Sequence, residues 1–210
     1  MRNVYVVGTG ATAVAEHWNR TVVSLGREAL LAALGQISPA NVGALYVANS
    51  LGSVLGGQAQ LAPALAQAGG LQGVEAFGVE AGGASGGVAL RQAYLAVAAG
   101  VYDMVVVVGV EKVSDVLDGA REAALALEGD VDWEAVHGVT QTAQWAMLMR
   151  RYMHQYGVGA DAFAPFPVNA HANGAANKQA MYRFAITPEK VTAAAMVSDP
   201  ISLLDSSTLG

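Results

Sequence analysis

The sequence contains no cysteine. That excludes disulfides, thiolate metal sites and cysteine nucleophiles within these 210 residues. Charge is sparse as well: 13% of residues are charged against 53% hydrophobic, so helices and strands buried on more than one side are expected. The few basic residues are outweighed, giving a net charge of −6. With no Lys/Arg cluster to offset it, a nucleic-acid surface is excluded. Long apolar runs are missing too; none reaches the ~18 residues expected of a membrane span. The opening MRNVYVVGTG enters a strand pattern directly, without the pattern of a signal peptide. A cytoplasmic protein with no membrane segment is therefore expected. What the chain has in abundance is glycine, 25 residues interspersed with Ala, Val and Leu. That composition suits tight helix–sheet packing, in one sizeable domain or one half of a larger pseudo-symmetric fold.

The chain is organised around residues 73–100, GVEAFGVEAGGASGGVALRQAYLAVAAG. Val74 to Val79 is a short strand-length run without proline. Gly82, Gly83, Gly86 and Gly87 crowd the junction that follows, where glycine permits a sharp turn and close approach. From Ala84 onward the pattern is helical and apolar over most of its surface, which predicts a buried helix. A strand-to-helix elbow exposes a side chain above the positive end of a helix, and many enzymes place a nucleophile there. This elbow offers no thiol.

In chain order, Asn3 to Gly8 reads as a first strand. Gly8-Thr9-Gly10-Ala11-Thr12-Ala13 formally satisfies a dinucleotide fingerprint. It lacks both the helix straight after it and the acidic residue closing the next strand, so it reads as a surface turn. Thr21 to Leu34 has helical spacing, Ala44 to Ala48 is a second strand ending in Asn49-Ser50, and Gln58 to Ala68 is a further helix. Asp103 to Gly109, DMVVVVG, reads as a strand buried on both faces. The alternation predicts an α/β fold, doubly wound with a parallel-rich sheet and helices on both faces. Beyond Val113 roughly eighty-five residues pass without a convincing strand, far beyond an ordinary connection. Such an insertion predicts a helical lid or binding subdomain. Helices are expected over 119–127 and 139–156 and from Pro188, with Thr187 as N-cap. The stretch 160–174, with Pro165 and Pro167, is assigned no helix. The expected divisions are a core over 1–113, the insertion over 114–198, and a return of the chain over 199–210.

VEAGGASGGVAL resembles the nucleophile segment of the thiolase superfamily, in particular its sterol-carrier-protein-like subgroup. Val79, Glu80, Ala81, Ala84, Ser85, Gly86 and Gly87 match, and the family's acyl-accepting cysteine falls on Gly83. GVEKVSD, YMHQYGV, VNAHANGAANKQA and ITPEKVTAAAMVSDPISLLDSS resemble later segments of the same subgroup, so the likeness runs from Val4 to Ser207. It implies the N-terminal half of a thiolase fold plus its loop domain. The fifth strand and the second half, with the catalytic histidine, would lie beyond Thr208-Leu209-Gly210.

The resemblance implies that Ala84 borders the substrate, that Met147 and Met149 are candidates for contacting an acyl chain, and that His171 and Asn173 line or brace the cleft. A purely structural role for His171, bonded to backbone, stays equally open. The Trp145, Met149, Met153 stripe also reads as ordinary core packing. Ser85 is read as a first-turn residue satisfying a backbone amide. His17, His137 and His154 form no metal-like pair with each other or with His171. No bound cofactor is expected; coenzyme A enters as part of the substrate. The resemblance also implies a homodimer through the Val74 to Val79 strand and, in thiolase-like aldolases, a small OB-fold partner. Three functions stay open: retro-aldol cleavage of a CoA thioester without a covalent intermediate, an ordinary thiolase with a replaced nucleophile, and a non-catalytic subunit. An apolar sheet edge left uncovered would make the chain poorly soluble on its own.

Overall fold

The computed structural model describes residues 2–116 and 118–207. The expected end of the return stretch, Thr208-Leu209-Gly210, lies outside the described residues. The chain forms two compact units, Met1–Thr12 with His17–Val116, and Ala13–Glu16 with Leu117–Gly210.

The first unit is a three-stranded parallel sheet with helices on both faces. Its elements run α1 (Val22–Leu34), β1 (Ala44–Ala48), α2 (Gly52–Leu55), α3 (Leu61–Ala68), β2 (Glu75–Val79), α4 (Ser85–Ala99) and β3 (Val105–Gly109). The strand order is β2-β1-β3, with Ala44 opposite both Glu75 and Val105. β1 is therefore the central strand, and every residue of ALYVA is buried. Leu45 and Val47 face α1 and α3, packing with Leu30, Leu34, Leu61 and Leu65. Ala44, Tyr46 and Ala48 face the other way, onto Ala89 and Ala93 of α4. Small residues spaced by four along α4 let that helix lie close to the sheet.

Three expectations for this unit are corrected. Residues 3–8 are not a strand: they have no regular structure, and Tyr5 and Val6 are about three-quarters exposed, at 74% and 77%. They pair with none of β1, β2 and β3. The segment is held at its start instead: Arg2 N–H donates to Ala98 O (3.0 Å), and its guanidinium donates to Tyr102 O and Asp103 (2.9 and 2.6 Å). β3 is fully buried on one face only: Val106 and Val108 are buried, whereas Val105 and Val107 are half-buried against the α4 side. α4 buries one stripe, and Leu90 and Tyr94 are exposed.

The second unit is mainly helical, with α5 (Asp118–Leu125), α6 (Gln141–Tyr156), α7 (Pro165–Ala176), α8 (Pro188–Thr192) and an antiparallel pair, β4 (Met196–Ser198) with β5 (Ile201–Ser202). α6 is capped by Thr140, whose Oγ1 accepts from Ala143 N–H (3.2 Å), and ends on Gly157 at φ 64°. α7 crosses the proline-bearing stretch that was assigned no helix. Its prolines fall in the first turn, where amides have no intrahelical partner to lose. Thr187 caps α8 as expected. Ala164, Ile186 and Val191 form a small core, with Val168 and Leu204 packed against it. Arg150 of α6 is ion-paired with Asp199 between β4 and β5.

Candidate functional site

The elbow leaves β2 at Val79 and enters α4 at Ser85. Gly82–Ala84 form a single 3₁₀ turn between them. Gly82 adopts φ 53°, in the left-handed region, which a side chain would disfavour. Its amide donates to the Glu80 carboxylate (2.7 Å). Ser85 is 6% exposed. Ala81 N–H donates to its Oγ (2.9 Å), and the hydroxyl donates in turn to Gly82 O (2.7 Å). The hydroxyl is thus committed to bracing the turn, as expected of a structural serine.

Gly83 and Ala84 are exposed at the turn. The direction in which Gly83 would carry a Cβ meets nothing within 4 Å. Its φ is not in the left-handed region, so the backbone there suits any L residue. The following helix has 15 residues, enough for its aligned peptide dipoles to place positive potential at the turn. Chemically, the elbow is a preformed perch for a group above a helix N-terminus. The residue standing on it has no side chain.

The other sequence-predicted residues lie in the second unit. His171 and Asn173 are on α7, Met147 and Met149 on α6. His171 is half-buried and its Nδ1 lies 3.0 Å from Phe184 O. A carbonyl only accepts, so Nδ1 carries the proton and Nε2 presents a lone pair. The ring also packs on Phe184 at 5.0 Å and lies nearly parallel to Tyr182 at 6.5 Å. Asn173 is exposed and Met149 half-buried. Met147 is 60% exposed and Trp145 58%, whereas Met149 and Met153 of the Trp145 stripe are half-buried. Ala146 is the buried residue of that helix.

Two residues escaped the reading of the sequence: Asn49 and Glu111, which join the carboxyl ends of the strands. A polar residue directly after a buried strand was the available signal. A groove of about 370 Å³ lies between α3 and the amino end of β2, lined by Ala66, Gln67, Leu71 and Val74; it does not include the elbow. Among the described residues, no group of three or more His, Asp or Glu could hold a metal ion, and no helix is long and apolar enough to cross a membrane.

The chain is 37% identical over 209 residues to an acetyl-CoA acetyltransferase of Methanocaldococcus jannaschii, covering 99% of this chain and 53% of that protein. It is 29% identical over 213 residues to a steroid side-chain-cleaving aldolase of Thermomonospora curvata, covering 95% and 52%. The solved Ltp2-ChsH2(DUF35) aldolase superposes with a TM-score of 0.74 at 31% identity, over 96% of this chain and 51% of that one. The chain thus spans about half the length of the relatives it matches. The model of the thiolase N-terminal domain matches residues 4–200, and by that match the chain belongs to the thiolase family.

Proposed function

We propose that this chain is part of an acyl-CoA-processing protein that breaks a carbon–carbon bond in a CoA thioester without forming an acyl-enzyme. One observation carries this reading: the elbow above α4 is built and braced, yet its apex is Gly83, which cannot hold an acyl group. Retro-aldol cleavage needs no thioester on the protein. The hydroxyl proton of a β-hydroxyacyl-CoA is removed, the Cα–Cβ bond breaks, and Cα takes a proton, releasing a ketone or aldehyde and a shortened acyl-CoA. Acid/base groups and hydrogen-bond donors to the thioester oxygen suffice. The steroid side-chain-cleaving aldolase, and a relative named 17-hydroxy-3-oxo-4-pregnene-20-carboxyl-CoA lyase from Mycobacterium tuberculosis, support this reaction class.

A second reading, an ordinary thiolase with a replaced nucleophile, is favoured by the open space at Gly83 and by the acetyl-CoA acetyltransferase relatives. The test is made on the natural full-length product. Incubation with a β-hydroxyacyl-CoA should release a carbonyl compound without free coenzyme A. Thiolysis of a β-ketoacyl-CoA, dependent on free coenzyme A, would overturn the proposal. Recovery of thiolysis only in Gly83→Cys would favour the second reading, and no turnover under any condition would leave the non-catalytic subunit.

The reading extends to partners. A DUF35 component named with the aldolase neighbour supports a small partner protein, for which the resemblance implies an OB fold. The outer edge of β2, unpaired among the described residues, and the exposed Phe77 of β2 and Leu90 and Tyr94 of α4 support a homodimer. Unit by unit, we assign His171 and Asn173 to bracing or lining a substrate cleft, and Met147 and Met149 to contacting an acyl chain. Coenzyme A is substrate here, and no resident cofactor is proposed.

A further inference from the structure

The carboxyl ends of all three strands meet in one hydrogen-bonded bracket. Asn49, directly after β1, donates its backbone N–H to Val79 O at the end of β2 (3.3 Å). Its Nδ2 donates to Val110 O (2.8 Å) and to Glu111 Oε1 (2.9 Å), just past β3. Its Oδ1 accepts from Gly52 N–H (2.9 Å), so both sides of the amide are engaged. Glu111 Oε2 accepts from two consecutive amides, Ser50 N–H (2.9 Å) and Leu51 N–H (3.0 Å). Val110 N–H closes the ring onto Ala48 O (3.1 Å). In open parallel sheets, ligands bind beyond the carboxyl ends of the strands. This is the end from which the elbow emerges, three residues after Val79.

We propose that Asn49 and Glu111 are positioning residues for the elbow. Their side chains tie the loop after β1 to the end of β3; that holds the Asn49 backbone N–H on which Val79 O rests, and through it fixes where Gly82–Ala84 stand relative to the N-terminus of α4. The inference rests on the reading that the elbow is the reacting edge of the site. Glu111 contributes through its reach and its two acceptor oxygens, not through its charge. A carboxylate one methylene shorter would keep the charge and lose the span. An amide of equal length would keep the span but set its NH₂ against a donor in either orientation, the NH₂ of Asn49 or the amides of Ser50 and Leu51.

The test uses the full chain with a thiol reporter, Gly83→Cys, for which the structure leaves room. The thiol is alkylated with iodoacetamide across a pH series. At a helix N-terminus its pKa should fall below the ordinary value of about 8.5. Adding Glu111→Asp, Glu111→Gln or Asn49→Ala should return it toward that value, slowing alkylation at neutral pH by about threefold for each half unit. A purely electrostatic role predicts the opposite: Glu111→Gln would lower the thiol pKa, and Glu111→Asp would leave it alone. Exchange of the Ser50 and Leu51 amides is followed in the same samples. Faster exchange with an unmoved thiol would make the bracket structural only and overturn the proposal. An ordinary pKa in the parent reporter would instead overturn the reading of the elbow itself, and the positioning role with it.

Discussion

Gly82 and Gly83 are adjacent in the elbow, and their backbones ask for different residues. Gly82 sits at φ 53°, whereas Gly83 lies outside the left-handed region with open space where a Cβ would point. Gly82→Ala should therefore destabilise the first unit by about 1–2 kcal/mol. Gly83→Ala should be neutral, or stabilising by about 0.4–1 kcal/mol through the unfolded chain. Urea midpoints of the two variants check this. Equal losses would mean that the turn needs both glycines for its shape.

Ser85 holds the turn from inside the first helical turn, through Ala81 N–H and Gly82 O. Ser85→Ala leaves a part-buried amide without its partner, a loss of about 1–3 kcal/mol. Faster exchange of the Ala81 amide should accompany it. Were Ser85 a nucleophile instead, the variant would keep its stability and lose only turnover.

The sheet was legible where one residue type repeats under one constraint. Ala44 to Ala48 is apolar throughout because β1 is covered on both faces, and the glycine cluster marked the elbow because the chain reverses there. Asn3 to Gly8 was misleading for the same reason. Its β-branched composition describes what a strand would accept, and says nothing about whether the segment pairs with the sheet. Asn49 and Glu111 were missed because their partners are 62 residues apart, and a bracket of that kind leaves no local period. The braced turn was legible as a motif; what acts on substrate there was not, since its apex carries no side chain.

Tyr46, 4% exposed, donates its hydroxyl to Glu75 Oε1 (3.3 Å). Burial first, and then the Glu75 carboxylate, raise its pKa above the ordinary tyrosine value. The unfolded chain loses this proton near pH ~10, while the folded chain keeps it to higher pH. Its contribution is therefore full below the ordinary value and is lost as pH rises from there through the folded pKa. Tyr46→Phe should flatten the fall of stability above about pH 10 relative to the parent. Urea titrations at stepped alkaline pH read this, and parallel slopes would reject it.

His171 donates Nδ1–H to Phe184 O and packs in a cluster with Phe184 and Tyr182. His171→Ala should cost about 0.5–1.5 kcal/mol for the bond alone and speed exchange around residues 182–186. His171→Phe keeps the ring packing and removes both nitrogens. If the role is only bracing, the two variants differ in stability alone. If Nε2 meets substrate, His171→Phe loses turnover in the full-length protein while the second unit stays folded.

Among the described residues the outer edge of β2 is unpaired, and an uncovered edge of that kind invites pairing with another chain. Phe77 is 39% exposed on this strand, and Leu90 and Tyr94 stand exposed on α4, at 58% and 49%. A charge at one of them should be harmless to a monomer and costly to a dimer that buries that residue. Leu90→Glu should therefore move the chain from dimer to monomer in light scattering at micromolar concentration, with an unchanged urea slope at low protein concentration. A parent that is already a monodisperse monomer would reject the dimer. A dimer that survives Leu90→Glu would place the contact away from α4, and Phe77→Ser would then ask whether β2 alone makes it.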